Sequence, residues 1–185
     1  LFRSVVGSTT AWRDGWYVVN SNVTIGNLVT VSGTVHLILA DNASLTVNGG
    51  IKVAEGNSFS VYAQSVGKNM GTLTATGENG AGIGGGSWEN AGTITINGGS
   101  VTATGGYNQA GIGGGDQGSG GTVTISGGNV TATGGQEAAG IGSVANGSYG
   151  NITINGGTVK ATGGDYAAGI GGVDGVSYGN LTING

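Results

Sequence analysis

A four-residue block, Ala-Gly-Ile-Gly, returns along this chain at a fixed interval and constrains its fold more than any other feature. The block starts at Ala81, Ala110, Ala139 and Ala168, which gives a constant 29-residue period. Two further blocks, Thr-Ile-Thr-Ile from Thr93 and Val-Thr-Ala-Thr from Val101, return in closely related form with the same period. A fixed period of this length is typical of a repeat architecture, in which each unit buries its apolar face against its neighbours.

The alternation inside these blocks predicts strands with one buried and one exposed face. In Thr93–Ile96 the isoleucines lie on one side and the threonines on the other, because successive side chains of a strand point in opposite directions. Stacked coils would align equivalent residues about 4.8 Å apart. The predicted inward columns include Ile96, Ile125, Ile154 and Ile183, and also Ile83, Ile112, Ile141 and Ile170; one outward column is Thr95, Thr124, Thr153 and Thr182.

Three short strands in each repeat predict an all-β fold, with each repeat forming one coil of a parallel β-helix. No segment has a convincing helical period, and the general preference for right-handed crossovers favours a right-handed coil. We expect one continuous solenoid, with a cap and irregular first coils over residues 1–70 and regular 29-residue coils over residues 71–185. The chain begins without Met and ends within a repeat, so we interpret it as a C-terminally truncated fragment.

The aromatic residues near the start of the chain are predicted to cover the open end of the solenoid. A repeat protein needs such a cap, and Trp12 and Trp16 are large enough to form it. Stacking of this pair on a sugar is the alternative. His36 lies among apolar residues and has no second His and no Cys to share a metal with, so we interpret it as structural.

The charge and cysteine content exclude several classes of function. The chain has 185 residues, a formal net charge of -4 and only five basic residues, which argues against nucleic acid as a partner. Because there is no Cys, disulfides and thiolate metal sites are excluded; we expect no metal and no other cofactor. No run reaches the roughly 18 apolar residues of a membrane span.

Three blocks of the repeat resemble a known class of sequence: AGIGGG at Ala81–Gly86, TITINGG at Thr93–Gly99 and VTATGG at Val101–Gly106. They resemble glycine-rich β-helix repeats of large Gram-positive bacterial surface proteins, in the pectate-lyase-like right-handed β-helix class. The lead-in segments Trp16–Val19 and Leu37–Asp41 resemble those that precede such repeats. The resemblance implies an extracellular or cell-surface protein with further domains and often with carbohydrate-related neighbours. It transfers no catalytic residue.

The residues that differ between repeats are the candidates for a binding site, because function concentrates on loops that a rigid scaffold holds. Two loops per coil vary, and they carry aromatic and acidic residues. An aromatic ring packs against the apolar face of a pyranose, while carboxylates and amides bind its hydroxyls. We therefore predict a strip that binds polysaccharide, either a host or a cell-wall glycan, with these candidate residues: Trp88, Glu89, Tyr107, Asp116, Tyr149, Tyr166, Asp174 and Tyr178. The alternative is that the aromatics only cover loop backbone.

A non-enzymatic binding, adhesion or spacer module is the favoured interpretation, and two alternatives remain. Asp116 and Asp174 would lie two coils apart, near 10 Å, which approaches the separation of about 6.5–9.5 Å in inverting glycosidases. A polysaccharide hydrolase or lyase is therefore one alternative, although we assign no catalytic residue. The regular threonine columns suggest an ice-binding solenoid as the other, but Asn151 and Asn180 interrupt one column and Lys160 interrupts another.

Overall fold

The computed structural model describes residues 2–173 and 179–184, and in these residues it contains strands and no helix. Every ladder between these strands is parallel. The strands are β1 (Phe2–Ser4), β2 (Ala11–Val19), β3 (Val23–Ile25), β4 (Val29–Leu39), β5 (Ser44–Val47), β6 (Ile51–Lys52), β7 (Ser58–Ala63), β8 (Thr72–Thr76), β9 (Ile83–Gly84), β10 (Thr93–Ile96), β11 (Ser100–Thr104), β12 (Ile112–Gly113), β13 (Thr122–Ile125), β14 (Asn129–Thr133), β15 (Ile141–Gly142), β16 (Gly150–Ile154), β17 (Thr158–Thr162), β18 (Ile170–Gly171) and β19 (Gly179–Ile183).

Each regular coil has three faces. A six-stranded sheet, ordered β17-β14-β11-β8-β5-β3, forms the first face. The other two faces begin as one sheet and separate at the long strand β4. The start of β4 pairs with β6 and leads to the row of two-residue strands, whereas its end pairs with β7 and leads to the row β10-β13-β16-β19. In the first coils, β4 therefore continues through a corner at which the later coils have a loop between two separate strands.

The register of the ladders confirms the predicted parallel β-helix. Thr93 pairs with Thr122, and Ile112 pairs with both Ile83 and Ile141, so neighbouring coils are offset by one full repeat. Among the ladders that join the regular coils from residue 71 onward, one offset differs, because Val101 pairs with Leu73, which is one position closer in the chain than a full repeat. The first copy of the loop, around Glu78, is correspondingly shorter than its later counterparts, and this difference absorbs the shift.

The predicted inward columns form the core. Ile83, Ile112 and Ile141 are fully buried, as are Ile96 and Ile125. Burial of such a side chain contributes about 1.5–3 kcal/mol. The ends of the columns differ, because no described strand covers the last coil. Ile170 is only partly buried, and 63% of Ile183 is exposed.

Trp12 covers the N-terminal end of the core as predicted, but the same prediction for Trp16 is wrong. Trp12 is fully buried and stacks on Tyr17 at 5.6 Å. Trp16 lies on the outer face, where it stacks on His36 with ring centroids 4.3 Å apart. Because Trp12 and Trp16 are four positions apart, a regular strand would place both of them on one face. A bulge between Arg13 and Gly15 shifts the register and sends them to opposite faces.

Candidate functional site

The two variable loops of each coil meet on one side of the solenoid. Between them, the Ala-Gly-Ile-Gly segment closes on itself: the amide of Ala81 donates to the carbonyl oxygen of Gly85 at 3.0 Å. The same bond closes the later copies, Ala110 to Gly114, Ala139 to Ser143 and Ala168 to Gly172. This tight loop places its isoleucine in the core, and the two variable loops that flank it therefore lie next to each other on the surface. We call their combined surface, residues 77–91, 106–120, 135–149 and 164–173, the loop ridge.

Glycine makes this tight loop possible. Gly84 has a φ of +145°, a backbone conformation that other residues rarely adopt. A Cβ atom at this position would also overlap the carbonyl oxygen of Gly113 in the next coil. Gly84 therefore satisfies both a conformational and a steric requirement.

Hydrogen bonds hold the two loops of a coil together. In the first ridge coil, the amide of Ser87 donates to the carbonyl oxygen of Asn79 at 3.1 Å. In the second, the buried side chain of Gln109 accepts a bond of 2.7 Å from the amide of Asp116. Neighbouring coils are joined as well, because the Trp88 amide donates to the Asp116 carbonyl oxygen at 2.7 Å. The ridge is thus a bonded surface, and it brings Trp88 and Asp116 onto adjacent coils.

Two exposed aromatic residues of the ridge have a left-handed backbone conformation. Trp88 has a φ of +65° and is 69% exposed, and Tyr166 has a φ of +58° and is 85% exposed. Polar residues occupy the equivalent positions in other coils: Gln117 and Asn146 correspond to Trp88, and Asn108 corresponds to Tyr166; all three also have positive φ. Such a conformation costs about 1–3 kcal/mol in a residue of this size. Neither aromatic recovers this cost by burial.

Of four further predicted site residues, the structure describes Tyr107 and Tyr149. Tyr107 lies on the second ridge coil and is 72% exposed. Tyr149 is partly buried against the core, its hydroxyl donates to the carbonyl oxygen of Gly179 at 2.8 Å, and its ring packs against that glycine, so it covers backbone. Asp174 and Tyr178 lie outside the described residues.

Glu89 belongs to an ion pair that the sequence did not indicate. Its Oε1 atom lies 2.8 Å from Nζ of Lys52, which belongs to strand β6, in the coil before the ridge begins. Lys52 lines a cavity of about 210 Å³ at this end of the ridge, and the other lining residues include Asn27, Leu28, Glu78, Asn79 and Gly86. Two features of the sequence mark the place: the shortened loop at Glu78, and the lack of comparable loops before it.

A second aromatic cluster lies away from the ridge. On the outer face of β2, β4 and β7, Trp16 contacts His36, Tyr62 and Phe2. Phe2, Trp16 and Tyr62 line an apolar groove, together with residues that include Val18 and Ile38. Trp16 stacks on His36, meets Phe2 edge-to-face and remains 39% exposed, so it is a partly exposed tryptophan outside the ridge.

Comparison with protein families identifies the repeat unit. A family model described as "Beta helix repeat" matches residues 69–87, 94–116, 123–148 and 152–175. This part of the chain is built from β-helix repeats. Each matched segment contains one Ala-Gly-Ile-Gly loop and ridge residues on both sides of it, so the ridge is a feature of the β-helix repeats themselves. No curated protein and no solved structure matches the chain.

No helix among residues 2–173 and 179–184 is long and apolar enough to cross a membrane. Within the same residues, no group of three or more His, Cys, Asp or Glu side chains is placed to hold a metal ion.

Proposed function

We propose that the protein is a non-enzymatic carbohydrate-binding module of a secreted or surface-attached bacterial protein, and that the loop ridge binds the glycan. The observation that carries this proposal is the state of Trp88: it is mostly exposed and has a strained backbone at a position where the next two coils have Gln117 and Asn146. Strain of this kind persists where the surrounding structure enforces it, and it concentrates at functional sites.

The exposed groups of the ridge suit a glycan that carries no charge. Trp88, Tyr107 and Tyr166 supply exposed rings on three coils, and the coils are about 4.8 Å apart. Tyr107 and Tyr166 are therefore roughly 10 Å apart along the axis. Between them, Gln136 and Glu137 supply groups that bind hydroxyls. An extended polysaccharide lying parallel to the axis would contact rings and polar groups in turn.

A pull-down on insoluble polysaccharides tests this function. We expect the protein to be retained by at least one of cellulose, xylan, mannan, chitin or bacterial cell wall. We expect Trp88→Asn to weaken retention by about tenfold, which corresponds to about 1.4 kcal/mol and is typical of one aromatic contact. Trp16→Ala is the matched control, since it removes a partly exposed tryptophan outside the ridge. If no polysaccharide or arrayed glycan retained the protein, the proposal would be wrong.

The six-stranded sheet favours ice binding as a second candidate function. Its ladders align threonines across neighbouring strands, as in Thr74, Thr102 and Thr131, and in Thr76, Thr104, Thr133 and Thr162. Hydroxyls and methyl groups thus repeat about 4.8 Å apart on one face. Lys160 interrupts the first column. Under this second function, thermal hysteresis would be measurable and would increase in Lys160→Thr; coincident freezing and melting points in both proteins would eliminate it.

A further inference from the structure

The loop ridge begins with a step. In the coils that precede it, the corresponding corners are the short turns at residues 26–28 and 48–50, whereas the first ridge coil carries the loop that starts at Glu78. The cavity of about 210 Å³ lies at this step, between the short turns on one side and the Glu78 loop on the other. It is therefore closed towards the N-terminal coils by the turn that contains Asn27 and Leu28.

Lys52 lines this cavity and is paired with Glu89, and glycines make room for the pair. Lys52 pairs in register with Gly84, which has no side chain, so the lysine can extend along the solenoid to Glu89. A Cβ atom at Gly86 would lie 2.6 Å from Oε2 of Glu89 and 3.7 Å from Cδ of Lys52. A larger residue at position 86 would therefore disturb the pair.

One oxygen of this pair has no hydrogen-bond partner. Oε2 of Glu89 is covered, and no partner for it exists among the described residues, although Oε1 is bound to Lys52. A covered carboxylate oxygen usually has a donor, and its lack requires an explanation. The atom lies beside Gly86, which lines the cavity. Because this oxygen has almost no exposed surface, a hydroxyl in the cavity would reach it only after a shift of the Glu89 side chain.

We infer that this cavity is an end subsite: it holds the terminal unit of a neutral glycan whose following units lie along the loop ridge. This inference rests on the proposed function. The sugar hydroxyls donate to the Glu78 carboxylate, and the amides of Asn27 and Asn79 complete the polar lining. The only charged donor in the lining, Lys52, is already paired with Glu89. Because Glu78 adds a negative charge, uronic acids and sulfated sugars are disfavoured.

The position of the cavity gives the glycan its direction. Asn79 accepts a hydrogen bond from Ser87, the residue before Trp88, and Gly80 accepts one from Gly106, the residue before Tyr107. The two aromatic residues thus flank the loop that forms one wall of the cavity. A chain that enters the cavity leaves it over these rings, whereas the short turns of the earlier coils offer no such surface. The site therefore recognises a chain end rather than an internal segment.

Equal masses of one polysaccharide before and after partial acid hydrolysis provide the test, with cellulose, xylan, mannan and chitin as probes. Hydrolysis multiplies the chain ends at constant mass, so bound protein should rise with the number of ends. Glu78→Gln and Asn79→Ala should each reduce the affinity for the hydrolysed probe by about tenfold, the loss expected for one strong hydrogen bond. Both side chains are exposed, so folding should persist, and a thermal melt would verify it.

The outcomes separate this inference from the proposed function. If the wild type binds none of the probes, both fail. If the wild type binds, but its capacity follows mass rather than the number of ends, and both variants bind like the wild type, the end subsite is wrong while the ridge proposal stands. Stronger binding to polygalacturonate than to the neutral probes would overturn the assignment to neutral sugars.

Discussion

The backbone amide of Trp88 donates a 2.7 Å hydrogen bond to the carbonyl oxygen of Asp116 in the next coil. This bond ties the backbone of Trp88, which has a left-handed conformation, to the next coil. The side chain is then left in solvent, where it makes no contribution to the core. The fold thus maintains an exposed indole on the ridge at a cost in stability.

Replacement of Trp88 should separate stability from binding. Asn tolerates a positive φ better than Trp and occupies the equivalent position at Asn146. We therefore expect Trp88→Asn to stabilise the protein by about 1 kcal/mol, measured by urea unfolding, while glycan binding weakens. Trp16→Ala should destabilise the protein instead, because Trp16 stacks on His36. A destabilised Trp88→Asn protein would show that the indole contributes to folding.

Gly84 and Gly26 form a matched pair for the tight loop. A Cβ at Gly84 would overlap the carbonyl oxygen of Gly113, and the positive φ of Gly84 is itself unfavourable for any other residue. A Cβ at Gly26 would meet nothing within 4 Å. Gly84→Ala should cost several kcal/mol, on the order of the combined strain and overpacking terms. Gly26→Ala should change stability by less than about 0.5 kcal/mol. Equal melting temperatures for the two variants would contradict the described packing of the loop.

Tyr149 distinguishes a ring that covers backbone from one that binds sugar. Tyr149→Phe removes the hydroxyl that donates to Gly179 and keeps the ring. The expected loss of stability is about 0.5–1.5 kcal/mol, seen in chemical denaturation, with unchanged glycan affinity. Weaker glycan binding at unchanged stability would instead place Tyr149 in the binding surface.

The regular part of the fold could be predicted from the sequence because side-chain periodicity specifies it. Alternation in Thr93–Ile96 gives the faces, and the constant repeat period gives the register that pairs Thr93 with Thr122. Trp16 could not be placed in this way, because one bulge near Arg13 reverses its direction without changing the residue pattern. A single extra residue in a strand moves every following side chain to the other face.

The site was predictable only in part, since backbone contacts and distant segments form it. The variable loops could be located from their differences between repeats. Their convergence depends on the Ala81–Gly85 backbone bond. The repeated Ala-Gly-Ile-Gly block marks this place in the sequence, but it does not show which carbonyl oxygen the Ala81 amide binds. The Lys52–Glu89 pair joins residues 37 positions apart in different coils. Pairs of this kind become visible only when the coils are stacked.

Ile141→Asp tests whether the coils behave as separable units. Ile141 is fully buried between Ile112 and Ile170, and an unpaired carboxylate there would cost several kcal/mol. Each coil contacts only its neighbours, so the damage should spread mainly to the last coil. Hydrogen exchange should show lost protection over residues 134–185 and retained protection over 35–39. Uniform loss along the chain would mean a single cooperative core.

The most direct test of glycan binding by the loop ridge is amide chemical-shift mapping by NMR during titration with the polysaccharide fragment that the pull-down selects. We expect shifts at Trp88, Tyr107 and Tyr166, including the Trp88 indole, and no shifts on the six-stranded sheet around Thr102 and Thr131. If the largest shifts fell on that sheet, or around Trp16 and Tyr62, the ridge would not be the binding surface.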